Sequence, residues 1–284
     1  MNLKQLEQYF ISETASIDNA EESIAMFYVL ADHLDGWGRS FILMNKELIV
    51  NNDKLIIYTK IIEELKTGKP LQYILGKTIF YGLSFKVNEN VLIPRPETEE
   101  LVEWILTTVN KNPSAIRSIL DIGTGTGCIP IVLKKQLKDI EISALDISVA
   151  ALQIAKENAD LNGTQIIFIN SDILTYSSDI KYDIIVSNPP YIKENEQVDM
   201  TKQVLDHEPH LALFVSNEHP LVFYEAIAEF AIYHLNPKGK LFFEINAALG
   251  RETVAMLKSK GFNAVVLKKD MQGKDRMISC SLPG

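Results

Sequence analysis

The sequence predicts a mostly parallel α/β sheet with helices on both faces, preceded by a small helical domain. Three observations carry that prediction. From residue 97 onward, short apolar runs of strand length alternate with helical stretches. A glycine loop, Gly123-Thr124-Gly125-Thr126-Gly127, directly follows one of those runs. Residues 1–70 instead carry helical periodicity and few residues that favour strands.

In chain order, Ala20 to Leu34 sets Ile24, Phe27, Tyr28 and Ala31 at helical spacing, and Asn51 to Leu65 does the same with Leu55, Ile56, Ile62 and Leu65. Asn51, Asn52 or Asp53 can cap the second of these helices, and Gly68 and Pro70 stop it. These residues make a helical domain over 1–70. Thr78–Tyr81 and Leu83–Val87 are strand-like runs separated by Gly82, with a turn cluster at Asn88-Glu89-Asn90, so residues 71–96 read as a β-ribbon linker. Residues 97–284 form the α/β domain. Its expected strands are 118–122, 141–145, 166–169, 184–186 and 241–245, with helices at 149–161 and 220–235. Two final strands are expected at 262–267 and 277–280, with Asp270 to Lys274 as the loop between them.

Composition narrows the function classes. No apolar run reaches the ~18–20 residues of a membrane span. The first residues lack a signal peptide's apolar stretch, which predicts a cytoplasmic protein with no membrane partner. Cys128 and Cys280 do not resemble a disulfide framework or a zinc site. The net charge of -9 argues against a nucleic-acid partner, whose phosphates reward basic surfaces.

The glycine loop points to a nucleotide-like ligand. Glycines there let the backbone turn sharply and approach a ligand closely. A dinucleotide fingerprint needs a third glycine where this chain has Cys128, whereas G-x-G-x-G after an acid, Asp121, is the methyltransferase form. The expected cofactor is S-adenosylmethionine. Asp121, Gly123, Thr124, Gly125, Thr126 and Gly127 are its first contacts, with Asp121 holding the cationic amino-acid end. Asp146 ends the next strand, about twenty residues on, and is placed to accept from both ribose hydroxyls. Asp172 is assigned to the adenine amino group and Ile173 to the ring face. Cys128 is read as a small helix residue.

Asn188-Pro189-Pro190-Tyr191 follows the apolar run 182–187 and points to a planar nitrogen as methyl acceptor. An amide or exocyclic amine is a poor nucleophile because its lone pair is delocalised. The Asn188 side-chain oxygen and the Pro189 carbonyl can accept hydrogen bonds from its N–H groups, which favours electron density on nitrogen. The two prolines hold these acceptors in place before binding, and Tyr191 is expected to pack against the flat acceptor. Asn188 also borders the cofactor. No strong base is needed at the start, because the proton can leave after transfer. Asp183 reads equally well as a site residue or a strand-start acid.

With these motifs, the chain resembles the bacterial peptide chain release factor glutamine methyltransferase family along essentially its whole length. The resemblance rests on Pro70-Leu-Gln72-Tyr73-Ile-Leu-Gly76, Phe80-Tyr-Gly82-Leu-Ser-Phe85, Ile93-Pro94-Arg95-Pro96-Glu97-Thr98-Glu99, the glycine loop, Asn188–Tyr191, Glu208-Pro209 and Asp270-Met-Gln-Gly273-Lys-Asp275-Arg276. It implies a Rossmann-like S-adenosylmethionine-dependent methyltransferase domain and a helical domain that docks the substrate. The implied acceptor is the side-chain amide of the glutamine in the Gly-Gly-Gln tip of class-1 release factors. Arg95, Pro96, Glu97 and Thr98 would then line the site, with Arg95 and Glu97 contacting substrate. Pro96 and the acids after it also read as an ordinary helix start. Two positions depart from the family pattern: Ile173, where an aromatic is frequent, and the segment 212–219, where a Gly/Asp-rich turn is usual.

Other segments have plainer readings. His207-Glu208-Pro209-His210 looks like a metal cluster, but Pro209 breaks helical geometry and no third ligand is evident, so no metal is expected. The polar stretch 195–211, with Glu194, Glu196 and Asp199, reads as a lid or partner-contact loop, with a solvated loop that contacts nothing as the rival reading. Trp37 and Trp104 read as packing residues. Two rival functions stand beside the main one. A DNA or RNA base amino-group N-methyltransferase would share the acceptor motif. A donor-binding scaffold without catalysis is disfavoured by the intact Asn188.

Overall fold

The computed structural model describes all residues except Ser16, Asp18 and Gly284; the side chain of Asp199, one acid of the 195–211 stretch, also lies outside the described residues. The helices are α1 (Leu3–Thr14), α2 (Ala20–Asp35), α3 (Arg39–Met44), α4 (Asn52–Lys66), α5 (Leu71–Leu75), α6 (Pro96–Lys111), α7 (Cys128–Gln136), α8 (Val149–Leu161), α9 (Lys202–His207), α10 (Val222–His234) and α11 (Gly250–Ser259). The strands are β1 (Lys77–Phe80), β2 (Leu83–Lys86), β3 (Ser118–Ile122), β4 (Glu141–Asp146), β5 (Ile167–Asn170), β6 (Tyr182–Ser187), β7 (Ile192–Lys193), β8 (Phe214–Val215), β9 (Leu235–Glu244), β10 (Asn263–Lys269) and β11 (Asp275–Ser281). The chain divides into two compact units, residues 1–76 with 201–207, and residues 77–200 with 208–284.

The first unit is helical because its sequence supplies both caps and an apolar stripe. The side-chain oxygens of Asn2, Asn19 and Asn51 accept from the backbone N–H groups of Gln5, Glu22 and Lys54, satisfying donors that a helix start leaves open. Gly36, at φ +68°, closes α2 in the left-handed conformation. Leu3, Leu6, Phe10, Phe27, Leu30, Tyr58 and Ile62 then share one core. The Tyr58 hydroxyl donates to Asp35, which also pairs with Lys54. Trp37 stacks on Phe41 with ring centroids 5.9 Å apart, a packing role as expected.

In the second unit β1 and β2 form an antiparallel ribbon. The main sheet has seven strands in the order β10-β11-β9-β6-β3-β4-β5. Strands β5, β4, β3, β6 and β9 run parallel; β11 runs against them, and β10, antiparallel to β11, runs in their direction again. The expected mostly parallel sheet is therefore present. One face packs under α6, α7 and α8 through Leu101, Val102, Ile131 and Val132. The other packs under α10 and α11 through Tyr224, Ile227, Met256 and Leu257. Burial on both faces explains why the strands read as continuous apolar runs. Trp104 packs edge-on against Phe242 at 5.4 Å.

Two expectations need adjusting. Strand β9 begins at Leu235, not 241: Leu235 already pairs with Tyr182 of β6, and Asn236-Pro237-Lys238-Gly239 form an irregularity before regular pairing resumes at Lys240. The stretch 195–211 is not an irregular loop: it holds a 3-10 turn at Glu194–Asp199, helix α9, and another turn at His210–Ala212.

Candidate functional site

Strands β4 and β5 lie on one side of β3, and β6 and β9 on the other. A crevice opens where the strand order reverses, at the carboxyl ends of such strands. A cavity of about 290 Å³ occupies that place, lined by Gly123, Gly125, Asp146, Asp172, Ile173 and Asn188 among others.

The glycine loop splits into two roles. Gly123 and Gly125 line the cavity, at φ +74° and +54°. Gly127, at φ +77°, starts α7, where a Cβ would stand 3.1 Å from both the Ala155 and Ile131 side chains. It therefore permits close helix packing and is not part of the cavity wall. Thr124 and Thr126 are buried and also stay off the wall.

Asp146 lines the cavity and also fastens its rim. Its Oδ2 accepts from Gly125 N at 2.8 Å and its Oδ1 from Ser148 N at 2.9 Å. Burial raises its pKa, and the N–H groups of Ser148, Gly125 and Ile147 oppose the rise. Asp172 lines the cavity and caps its own turn, Oδ1 accepting from Leu174 N at 2.9 Å. Ile173 stands beside it on the wall.

Asp121 is fully buried and does not reach the wall, although its neighbours Ile122 and Gly123 do. Neither of its oxygens, nor Thr124 Oγ1, has a hydrogen-bond partner among the described residues. Burial pushes the Asp121 carboxyl up to about 7; Thr124 opposes the rise and the Asp146 charge adds to it. A buried carboxyl without partners is costly, and a cationic group arriving above it would relieve that cost.

Asn188, Pro189 and Pro190 line the cavity at the end of β6, where Ser187 Oγ donates to Ile122 O at 2.6 Å and ties β6 to β3. Tyr191 departs from expectation: it is absent from the wall and packs against the core under α10. Its hydroxyl donates to Glu244 Oε1 at 3.2 Å, and its carbonyl accepts from Asn246 Nδ2 at 3.0 Å. The ring faces the core, not the cavity.

Behind Asn188 stands a polar cluster in which Thr98 was an expected site residue and Glu244 was not singled out. Asn188 Nδ2 donates to Thr98 Oγ1 at 3.3 Å, and Thr98 Oγ1 donates to Glu244 Oε2 at 2.7 Å. Glu244 is buried, which raises its pKa; the Thr98 hydroxyl, the Arg276 charge and Tyr191 oppose that rise, and the Glu97 charge adds to it. Arg276 Nε reaches Asp270 Oδ2 at 3.2 Å. An acid ending the apolar run Leu241-Phe242-Phe243 was the available signal.

The remaining expected residues fall as follows. Arg95 pairs with the buried Glu208 carboxylate, which also accepts from Ile93 N at 3.4 Å. Neither Arg95 nor Glu97 lines the cavity, though Val91, Leu92 and Pro209, from the two segments that this pair joins, do. The His207–His210 cluster is dispersed: Glu208 faces Arg95, His207 faces the Thr67 carbonyl, and His210 lies edge-on to Phe214. Asp183 is structural, its Oδ2 accepting from Arg117 N at 2.6 Å and Ser118 N at 3.0 Å at the strand ends opposite the cavity. Cys128 is buried, which pushes its thiol up to about 12. Among the described residues no helix is long and apolar enough to cross a membrane.

Comparison with known proteins agrees with this architecture. Residues 5–76 match the family model described as PrmC N-terminal domain, and residues 100–213 match Methyltransferase small domain. A release factor glutamine methyltransferase of Flavobacterium psychrophilum is 45% identical over 281 residues, covering 98% of each chain. One of Bacteroides thetaiotaomicron is 42% identical, covering 98% of this chain and 100% of its own. In structure, the hMettl16 catalytic domain, solved in complex with an RNA hairpin, aligns with a TM-score of 0.57 at 18% identity, over 72% of this chain and 77% of that one, which shows a shared fold. Matches that span both units at this identity place the chain in the release factor glutamine methyltransferase family.

Proposed function

We infer that this chain transfers a methyl group from S-adenosylmethionine to the side-chain amide nitrogen of a glutamine in a release factor. The observation that carries the reading is one cavity wall holding both Gly123-Gly125-Asp146 and Asn188-Pro189, in a chain of this family. The residues fit the donor. Asp146 and the two glycines would take its ribose and amino-acid portion, Asp172 and Ile173 its adenine, and the partnerless Asp121 its cationic end from below. When bound, S-adenosylmethionine supplies an electrophilic methyl group on a sulfonium. The protein's part is to hold the acceptor in line at a near-attack distance of ~3–3.5 Å. Asn188 Oδ1 and the Pro189 carbonyl accept from the acceptor's N–H groups, and the two prolines limit their motion.

The acceptor is the glutamine of the Gly-Gly-Gln tip of class-1 release factors, and residues 1–70 dock the rest of that protein. Such a substrate belongs to the cytoplasm. A base amino-group acceptor on DNA or RNA is not favoured, given the family and the net charge of -9. Methyl transfer from labelled donor to purified release factor, to its Gln→Ala tip variant and to nucleic acid tests the reading. Label on the wild-type factor that vanishes with Gln→Ala is expected; label on nucleic acid alone would overturn the acceptor.

A further inference from the structure

The polar cluster behind Asn188 has a direction. Thr98 lies in the first turn of α6, 3% exposed, between Glu244 and Asn188. A hydroxyl carries one proton and two acceptor sites. The Thr98 proton points to Glu244 Oε2, 2.7 Å away. Only lone pairs remain for Asn188, so the half of the Asn188 amide facing Thr98 must be its NH₂, at 3.3 Å. The other half, Oδ1, is then the one left for a ligand. Glu244 is itself held as an acceptor. Tyr191 donates to its second oxygen at 3.2 Å, and the Arg276 charge, fastened by Asp270, opposes the rise in pKa that burial imposes on it.

We propose that Thr98 and Glu244 are positioning residues that fix which way the Asn188 amide faces, so that an oxygen and not an NH₂ meets the acceptor nitrogen. The inference rests on the reading of Asn188 as the acceptor's hydrogen-bond partner. A flipped Asn188 would set its NH₂ against the N–H of the acceptor, two donors in opposition. The direction of the chain therefore selects a nitrogen that still carries hydrogen.

The test uses the full chain and purified release factor, with single-turnover methyl transfer and donor affinity measured side by side. Thr98→Val keeps the side chain's shape and removes the hydroxyl. It should slow single turnover roughly 10- to 100-fold, the scale of one lost buried hydrogen bond, and change donor affinity by less than about threefold. Thr98→Ser keeps the hydroxyl and should stay within about threefold of wild type. Thr98→Ala is the second variant should valine disturb folding, with the same loss expected. Because Thr98 acts through Asn188, Thr98→Val added to Asn188→Ala should slow the reaction no further. Wild-type turnover in the hydroxyl-free variants, multiplication of the two losses, or failure of serine to restore the rate would each overturn the proposal. Wild-type turnover in Asn188→Ala would instead overturn the acceptor reading beneath it.

Discussion

Asp121 should release a proton when the donor binds. Its carboxyl is fully buried, has no hydrogen-bond partner among the described residues, and is pushed by burial to about 7. Raising the pKa from 3.8 to about 7 makes the folded state hold this proton more tightly than the unfolded state. Stability is then lost as pH rises from about 4 through about 7. At about 1.4 kcal/mol for each tenfold change in proton affinity, the cost above pH 7 is about 4 kcal/mol. Asp121→Asn keeps the shape without the ionisation. It should match wild type near pH 4 and exceed its stability at pH 8 by up to that amount, while binding donor more weakly. The donor's cationic end should ionise Asp121 on arrival. A group with a pKa of about 7 is roughly 90% protonated at pH 6 and about 10% at pH 8. Calorimetry in buffers of different ionisation enthalpy should therefore show about 0.9 proton released per donor at pH 6 and about 0.1 at pH 8, with the release absent in Asp121→Asn. Equal proton release by both proteins, together with equal stability at pH 8, would refute the reasoning.

Three further outcomes follow from the geometry. Asp146→Asn sets an NH₂ against the N–H of Gly125 or Ser148, so donor affinity should fall roughly 10- to 100-fold and the melting temperature should drop; unchanged affinity by calorimetry would remove Asp146 from the donor site. Asp183→Ala leaves Arg117 N, Ser118 N and Asn236 Nδ2 without their acceptor and should cost about 2–4 kcal/mol in denaturant titration, yet leave turnover per folded molecule unchanged; a slower folded enzyme would return Asp183 to the chemistry. Gly127→Ala combines a φ of +77° with two contacts at 3.1 Å and should destabilise by about 1–3 kcal/mol, without weakening donor binding by the folded fraction; a stable variant would mean that α7 and α8 separate easily.

The parts of this fold that local chemistry decides were legible in the sequence. The apolar runs at 118–122 and 141–145 became β3 and most of β4 because burial on both faces demands continuous apolar residues. Asn51 capped α4 because its side chain can reach the open N–H of Lys54. Side-chain direction was less legible. Asp121 and Tyr191 stand in the expected segments, but neither side chain reaches the cavity wall. Partnerships between distant segments were not legible at all. Arg95 meets Glu208 across 113 residues, and Thr98 meets Glu244 across 146, and nothing local to either residue announces the other.

The insertion of β11 between β9 and β10 bears on how the chain avoids threading errors. Met277 enters one core, and Ile278 and Cys280 the other, so the strand is apolar toward both faces. Hydrophobicity alone then tolerates a one-residue slip, because a displaced strand still buries oily surface on each side. Charge does not tolerate it. In the native register the Arg276 carbonyl accepts from Ile245 N at 2.8 Å, and the guanidinium stands beside Glu244 and Asp270. A slipped strand would leave two buried carboxylates without their cation, a penalty of several kcal/mol. The residues that aim Asn188 thus also proofread the pairing of the sheet, and a misthreaded molecule would be silent in the methyl-transfer assay.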